Sequence, residues 1–242
     1  MYLTNKFIYP SVYMHMRVQK MVYIIAPVVF NTNPVIRAMM DSGFADLKEV
    51  YLIVPKGEKD QRVETALSEV KKVAQLGGLN ELKKVEVEYN DFFQAILSIR
   101  KLIDDISISG EKIIVSLGGG MRVLDTEILI ACMIAADFQQ KRLQVFIYPE
   151  PEKGTRMSFT VQDVTTISNL HREEFRLLNA IKEMRYGSIT SISEKLKIPK
   201  STAWKRINKL VEMGLVREER RKYALTELGE RVVEANNKVK YK

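Results

Sequence analysis

From Met21 onward the apolar positions follow two alternating rhythms. Unbroken or nearly unbroken apolar runs recur at Val22–Ala26, Glu49–Val54, Lys112–Leu117 and Leu143–Tyr148. Between them, apolar side chains return every three or four positions. Unbroken runs suit strands buried on both faces of a sheet, and the wider spacing suits helices that bury one face. Asn33 caps a first predicted helix with Pro34 at its first turn, and Ser42-Gly43 ends it. Asp60–Leu76 reads as a charged amphipathic helix stopped by Gly77-Gly78, Lys84–Glu88 as a more exposed strand, and Phe92–Ile106 as a helix behind Asn90 or Asp91. Arg122–Phe138 is apolar nearly all round, so it needs cover on every side: the sheet, and a second subunit. After the turn Pro149–Gly154, Met157–Val161 returns as an antiparallel strand. Strands alternating with helices predict an α/β, doubly wound, mostly parallel sheet.

The rhythm then changes. Gln162–Leu170 is short and polar and reads as a linker. Arg172–Met184, Ser188–Leu196 and Lys200–Val211 follow as helices. A strand after Met213-Gly214, a charged tip at Glu218–Lys222, a returning strand at Tyr223–Leu225 and a last helix from Thr226 complete the pattern. Three helices followed by a hairpin predict an α+β winged helix–turn–helix. The expected division is an extension at 1–20, a first domain at 21–165 and a second at 166–242. Residues 1–20 have no clean period and no signal-peptide pattern, and are expected to stand outside the fold.

Candidate chemistry concentrates at two places. The first is Ser116-Leu117-Gly118-Gly119-Gly120-Met121-Arg122, where a buried strand runs into three glycines and a helix start. Glycines there bare backbone amides, and the helix dipole and Arg122 add positive charge, which together suit a phosphate. The other reading is a tight strand-to-helix turn with Arg122 on the surface. No Gly-Lys-Ser/Thr closes a P-loop, and Val123 stands where a dinucleotide fingerprint needs its third glycine. The loop after the first strand, Pro27–Thr32, lies at the same carboxyl edge, where ligands of such sheets bind.

The second place is the predicted third helix of the last domain. Ile207, Leu210 and Val211 face inward, leaving Lys200, Ser201, Thr202, Lys205, Arg206 and Lys209 outward. Arg220, Arg221 and Lys222 sit on the wing. Hydroxyls near a helix start reach phosphates or base edges, and Lys and Arg neutralise backbone charge. Trp204 has two readings, stacking against a sugar or base edge and, with Ile207 and Val211 nearby, the expected one of partial packing. The charge balance agrees with this. From Val161 onward 18 Lys and Arg stand against 11 Asp and Glu, which is +7 of the chain's +8. Such asymmetry points to a polyanion for that part alone, the alternative being a solvated face on a protein-interaction module.

The totals exclude several classes. Among 242 residues there is one cysteine, Cys132, and two histidines far apart, so no disulfide framework or Cys/His metal site is expected. No segment has the ~20 apolar residues that cross a bilayer, and a cytoplasmic setting is expected.

The strand-end Gly120-Met121-Arg122, in a doubly wound domain joined directly to a winged helix, resembles the CRISPR-associated Rossmann-fold (CARF) transcription regulators of archaea. The resemblance covers Met21 to about Asn237. It implies a homodimer that binds a cyclic oligoadenylate, usually cyclic tetra-adenylate, as effector on its two-fold axis, with no further cofactor. It implies double-stranded DNA of CRISPR promoters or leaders as the partner of the winged helices. Carried over by position, ligand contacts are Val28, Phe30, Asn31 and Thr32 from the first loop, and Ser116, Gly118, Gly119, Gly120, Met121 and Arg122 from the second. No catalytic residue is implied. The rival readings are a ring nuclease that cleaves its own ligand, with Arg122 and Ser116 contributing, and a constitutive DNA-binding dimer.

Overall fold

The computed structural model describes residues 21–57, 60–79, 81–135, 143–149 and 155–238. The extension at 1–20, the turn at 150–154 and the expected end of the long apolar helix at 136–138 lie outside these residues. Six strands, β1 (Val22–Pro27), β2 (Leu47–Pro55), β3 (Lys83–Val87), β4 (Lys112–Leu117), β5 (Leu143–Ile147) and β6 (Met157–Thr160), form one sheet in the order β3-β2-β1-β4-β5-β6. Neighbours are parallel except β5 and β6, as expected. The strand order reverses between β1 and β4, which pair Tyr23 with Ile113 and Ile25 with Val115. A crevice opens beyond the carboxyl ends of two strands whose connections leave in opposite directions.

Helices α1 (Asn33–Ser42), α2 (Gln61–Leu76), α3 (Phe92–Ser107) and α4 (Arg122–Met133) cover the two faces. All six residues of β1 are buried, and its pleat divides them. Tyr23 and Ile25 join a core with Ile99 and Ile103 of α3 and Leu124 and Ile128 of α4. Val22, Ile24 and Ala26 join a second core with Val35 and Met39 of α1 and Val70 of α2. Each fully buried aliphatic side chain stabilises the fold by about 1.5–3 kcal/mol, so both faces of β1 hold the two layers in place. Helix α4 buries Leu124, Ile128, Ala131 and Cys132, while Val123 stays 46% exposed. Among the described residues its apolar circumference is therefore covered on one side.

Two element readings change. The expected linker is a helix, α5 (Val161–Ser168), which follows β6 without a break. Thr160 Oγ1 accepts from Asp163 N, and Asp163 Oδ2 accepts from Thr160 N, a reciprocal cap worth about 1 kcal/mol. Val161 is fully buried in the sheet's core, so the boundary expected after residue 165 falls inside α5. The start of α1 also moves. Thr32 holds the cap position, Pro34 lies in the first turn, and Asn31 Oδ1 accepts from Asn33 N at 3.1 Å.

The second unit comprises α6 (Arg172–Met184), α7 (Ile189–Leu196), α8 (Lys200–Glu212), β7 (Val216–Glu219), β8 (Lys222–Leu225) and α9 (Glu227–Lys238). Leu177, Leu178, Ile181, Ile192, Ile207, Leu210 and Tyr223 form its core. Gly187 and Tyr223 exchange both backbone hydrogen bonds, fixing the α6–α7 turn beside the hairpin.

Candidate functional site

Two loops close the crevice at the strand-order reversal, and one acceptor joins them. The Gly119 carbonyl accepts from Val29 N at 3.2 Å and from Asn31 N at 3.4 Å. Glycine is required for this approach. A Cβ on Gly119 would lie 2.5 Å from Pro27 O and 2.8 Å from Asn31 O, and one on Gly120 would lie 2.7 Å from Pro27 Cβ. The tight-turn reading of these glycines is therefore correct as far as packing goes, and it is the packing that sets the two loops edge to edge. Gly118 takes a positive φ of 109°, and its amide donates to Asp125 Oδ1 at 3.1 Å. Burial raises the Asp125 carboxyl above its ordinary pKa, and this amide opposes the shift.

The first-loop residues separate by role. Val28 is fully buried in the core, so its side chain packs and does not face the crevice. Thr32 is buried, and its hydroxyl donates to Glu69 Oε2 at 2.9 Å. Asn31 commits its side-chain oxygen to the start of α1. Phe30 projects outward, half exposed, with the Arg62 guanidinium 4.4 Å from its ring centroid. Together with Gln61, Thr65 and Glu69 they line a depression of about 380 Å³. Asp60, the cap of α2, anchors Arg62 at 2.6 Å.

In the second loop Ser116 is fully buried, and its hydroxyl donates to Pro34 O at 2.9 Å. It joins β4 to α1 and leaves the surface set. Met121 is partly buried against the core, and Arg122 is exposed at the first turn of α4. Arg62 and Asp125 escaped the sequence reading. Arg62 sits in a helix read as solvated charge, and only the fold brings it beneath Phe30. Asp125 could have been found as an acid in the first turn of the helix behind the glycines.

The same helix α4 carries a buried acid. Glu127 is fully buried, and neither carboxylate oxygen has a hydrogen-bond partner among the described residues. Desolvation pushes its carboxyl up to about 7.

On α8, Ala203, Ile207 and Leu210 are buried and Lys200, Ser201, Trp204, Lys205 and Lys209 are exposed. Thr202 and Arg206 are half-buried. Trp204 is 54% exposed, so its indole is partly covered, as expected, and partly in solvent. Two of the expected cations are tied back to α6, Arg206 to Glu173 at 3.0 Å and Lys209 to Glu174 at 3.1 Å. On the wing, Arg220 and Arg221 form the two-residue turn between β7 and β8, with φ of 51° and 63°. Both are exposed, as is Lys222. No helix among the described residues is long and apolar enough to cross a membrane, and no group of His, Cys, Asp and Glu among them is placed to hold a metal ion.

This architecture, a doubly wound sheet followed by a winged helix–turn–helix, matches known families in both parts. Residues 21–160 match the Csa3 CRISPR-associated Rossmann-like domain, and residues 174–217 match a winged helix-turn-helix DNA-binding family. The chain belongs to the Csa3 CRISPR-associated Rossmann-like family, which bears out the resemblance carried by Gly120-Met121-Arg122 and the domain order. It is 30% identical over 157 residues to the CRISPR locus-related protein Csa3 of Saccharolobus solfataricus. That match covers 64% of this chain and 63% of the relative's length. Looser likenesses are found to a Vibrio cholerae protein, VC1899 (11% identity, 88% of this chain and 64% of that one, TM-score 0.41), and to reduced MarR of E. coli (16%, 32% and 60%, TM-score 0.29). Neither bears on the function.

Proposed function

We propose that this protein is a ligand-responsive transcription regulator of CRISPR-associated genes. In this reading a homodimer binds a cyclic oligoadenylate, cyclic tetra-adenylate, in the crevice and binds double-stranded DNA through α8 and the wing. The observation that carries the proposal is the Gly119 latch, which sets the two loops of the strand-order reversal side by side as one rigid edge with Arg122 exposed beside it. A cyclic oligonucleotide presents phosphates and 2′-hydroxyls with two-fold symmetry, so paired copies of one edge supply each contact twice. Arg122 and the amides beyond Gly118 take phosphate, while exposed Phe30 offers a stacking face for a base. The cationic α8 and wing agree with the DNA-binding role that the description of the Saccharolobus relative proposes for that protein.

Cleavage of the ligand draws less support. Of the two groups that the ring-nuclease reading uses, Ser116 is buried and bonded to Pro34 O, which leaves Arg122 alone. The test is calorimetric titration with cyclic tri-, tetra- and hexa-adenylate, followed by analysis for linear products. The proposal expects saturable binding of the tetramer, one ring per dimer, and an unaltered ring afterwards. Absence of binding to all three rings overturns the sensor, and linear products convert it to an enzyme.

A further inference from the structure

Helix α8 carries a stripe whose chemistry differs from the cations around it. At about 100° per residue, Trp204, Asn208, Ser201 and Lys205 fall within a ~100° arc, with Ser201 and Lys205 opposite buried Ala203, Ile207 and Leu210 and Trp204 at the arc's edge, about 60° from Ile207. The indole is 54% exposed, the largest apolar group on a face otherwise made of hydroxyls, an amide and charges. Asn208 makes no side-chain hydrogen bond among the described residues. Arg206 and Lys209, held by Glu173 and Glu174, flank the stripe and do not cross it. Lys200 and Lys205 are exposed around the indole, and a cationic rim disfavours an apolar protein partner while it favours a polyanion.

We infer, on the reading of α8 as the duplex-reading helix, that Trp204 and Asn208 read base edges in the major groove. The indole packs against a thymine C5 methyl, and the Asn208 amide takes the N6 and N7 edge of a neighbouring adenine. Those two edges are the major-groove features that an apolar face and an amide recognise. Residues four apart on a helix stand about 5–6 Å from each other, which spans one to two base-pair steps of about 3.4 Å. The half-site is therefore a short A·T-containing step, and affinity for the rest of the site comes from phosphate contacts of the surrounding lysines and the wing.

The experiment selects duplexes from a randomised library with the full chain. It then replaces thymine by deoxyuridine at each position of the selected sequence. The wild type is expected to lose about three- to fivefold in affinity at one thymine, the value of one buried methyl group. Trp204→Ala is expected to bind the thymine and uracil duplexes equally. Asn208→Ala is expected to lose discrimination of about tenfold at an adenine one or two steps away. Trp204 is the chain's single tryptophan, so quenching of intrinsic emission on adding the selected duplex reports its contact directly. Both side chains lie outside the core, and melting curves of the variants confirm that folding is kept. Wild-type indifference to uracil at every position, a uracil penalty that survives in Trp204→Ala, or unchanged emission on saturation overturns the inference. Retention of duplexes without sequence preference overturns it as well and leaves DNA binding standing. Failure to retain any duplex at low salt defeats the DNA-binding reading itself.

Discussion

A guanidinium nitrogen of Arg206 lies 3.0 Å from a carboxylate oxygen of Glu173, tying α8 to the first turn of α6. Arg206 and then Arg176 hold that carboxyl below its ordinary pKa, so it stays charged well into acid. The contact sets how much positive charge α8 has left for a polyanion. Glu173→Gln should raise affinity for duplex DNA at low salt and steepen the slope of log affinity against log salt by up to about 1, one phosphate-directed cation regained. Stability should change little, because the pair is at the surface. Fluorescence anisotropy across a salt series checks this, and an unchanged slope means that Arg206 faces duplex even while paired.

The wing tip makes a second, opposite trade. Arg220 and Arg221 occupy left-handed backbone at a turn where Asn-Gly is the unstrained choice. Each carries a cost of about 1–2 kcal/mol. The double change Arg220→Asn, Arg221→Gly should therefore stabilise the second unit by about 2 kcal/mol while weakening duplex binding at every sequence alike. Thermal melts and anisotropy read the two halves. A variant that is more stable and binds unaltered shows that the wing carries charge without contact.

Gly119 and Arg122 should separate architecture from recognition at the crevice. Gly119→Ala drives a methyl against two backbone carbonyls, at 2.5 and 2.8 Å, and should cost about 2 kcal/mol or more of stability along with ligand affinity. Arg122→Ala removes an exposed side chain and should leave the melting temperature in place while cyclic tetra-adenylate binds tenfold or more weakly, the value of a charge-assisted contact of about 1.5–3 kcal/mol. Unchanged ligand affinity in Arg122→Ala favours the constitutive DNA-binding dimer.

Glu127 gives the fold a pH dependence of definite sign. Its folded pKa, about 7, lies above the ordinary 4.5, so the folded chain binds the proton more tightly than the unfolded chain. Its favourable contribution is complete below about pH 4.5 and is lost as pH rises through about 7, by up to about 3 kcal/mol. Melting temperatures measured from pH 5 to 8.5 should fall more in the wild type than in Glu127→Gln, which cannot ionise. Parallel profiles would place a cation against this carboxylate in solution.

The strands and helices were legible because both cores repeat a simple rule. A strand buried on both faces must be apolar at every position, as Val22–Ala26 is, and the helices that cover it show their spacing openly. The connector α5 was hidden by its composition. Gln162, Thr165 and Thr166 look like loop residues, and only Thr160 and Asp163, spaced as a reciprocal cap, announce a helix. At the crevice the glycines and Arg122 were visible from their order in the chain. The fates of Ser116 and Thr32 were not, because a hydroxyl's partner lies across the fold, at Pro34 and Glu69, and nothing local encodes it. The share of Trp204 that stays open was likewise set by its place on α8. It stands about 60° from Ile207 around α8, at the border of the buried face, so about half of the indole is covered and the rest reaches solvent.

The reciprocal cap at Thr160 has one more effect. Because β6 passes into α5 with no intervening residue, the sheet's last edge and the connector form a stiff elbow, and only Asn169, Leu170 and His171 separate it from α6. On the ligand-responsive reading proposed above, a tilt of the sheet would reach α6 through a three-residue pivot, with little chain to absorb it as slack. Lengthening that pivot with glycine and serine would uncouple the two halves while leaving each of them whole.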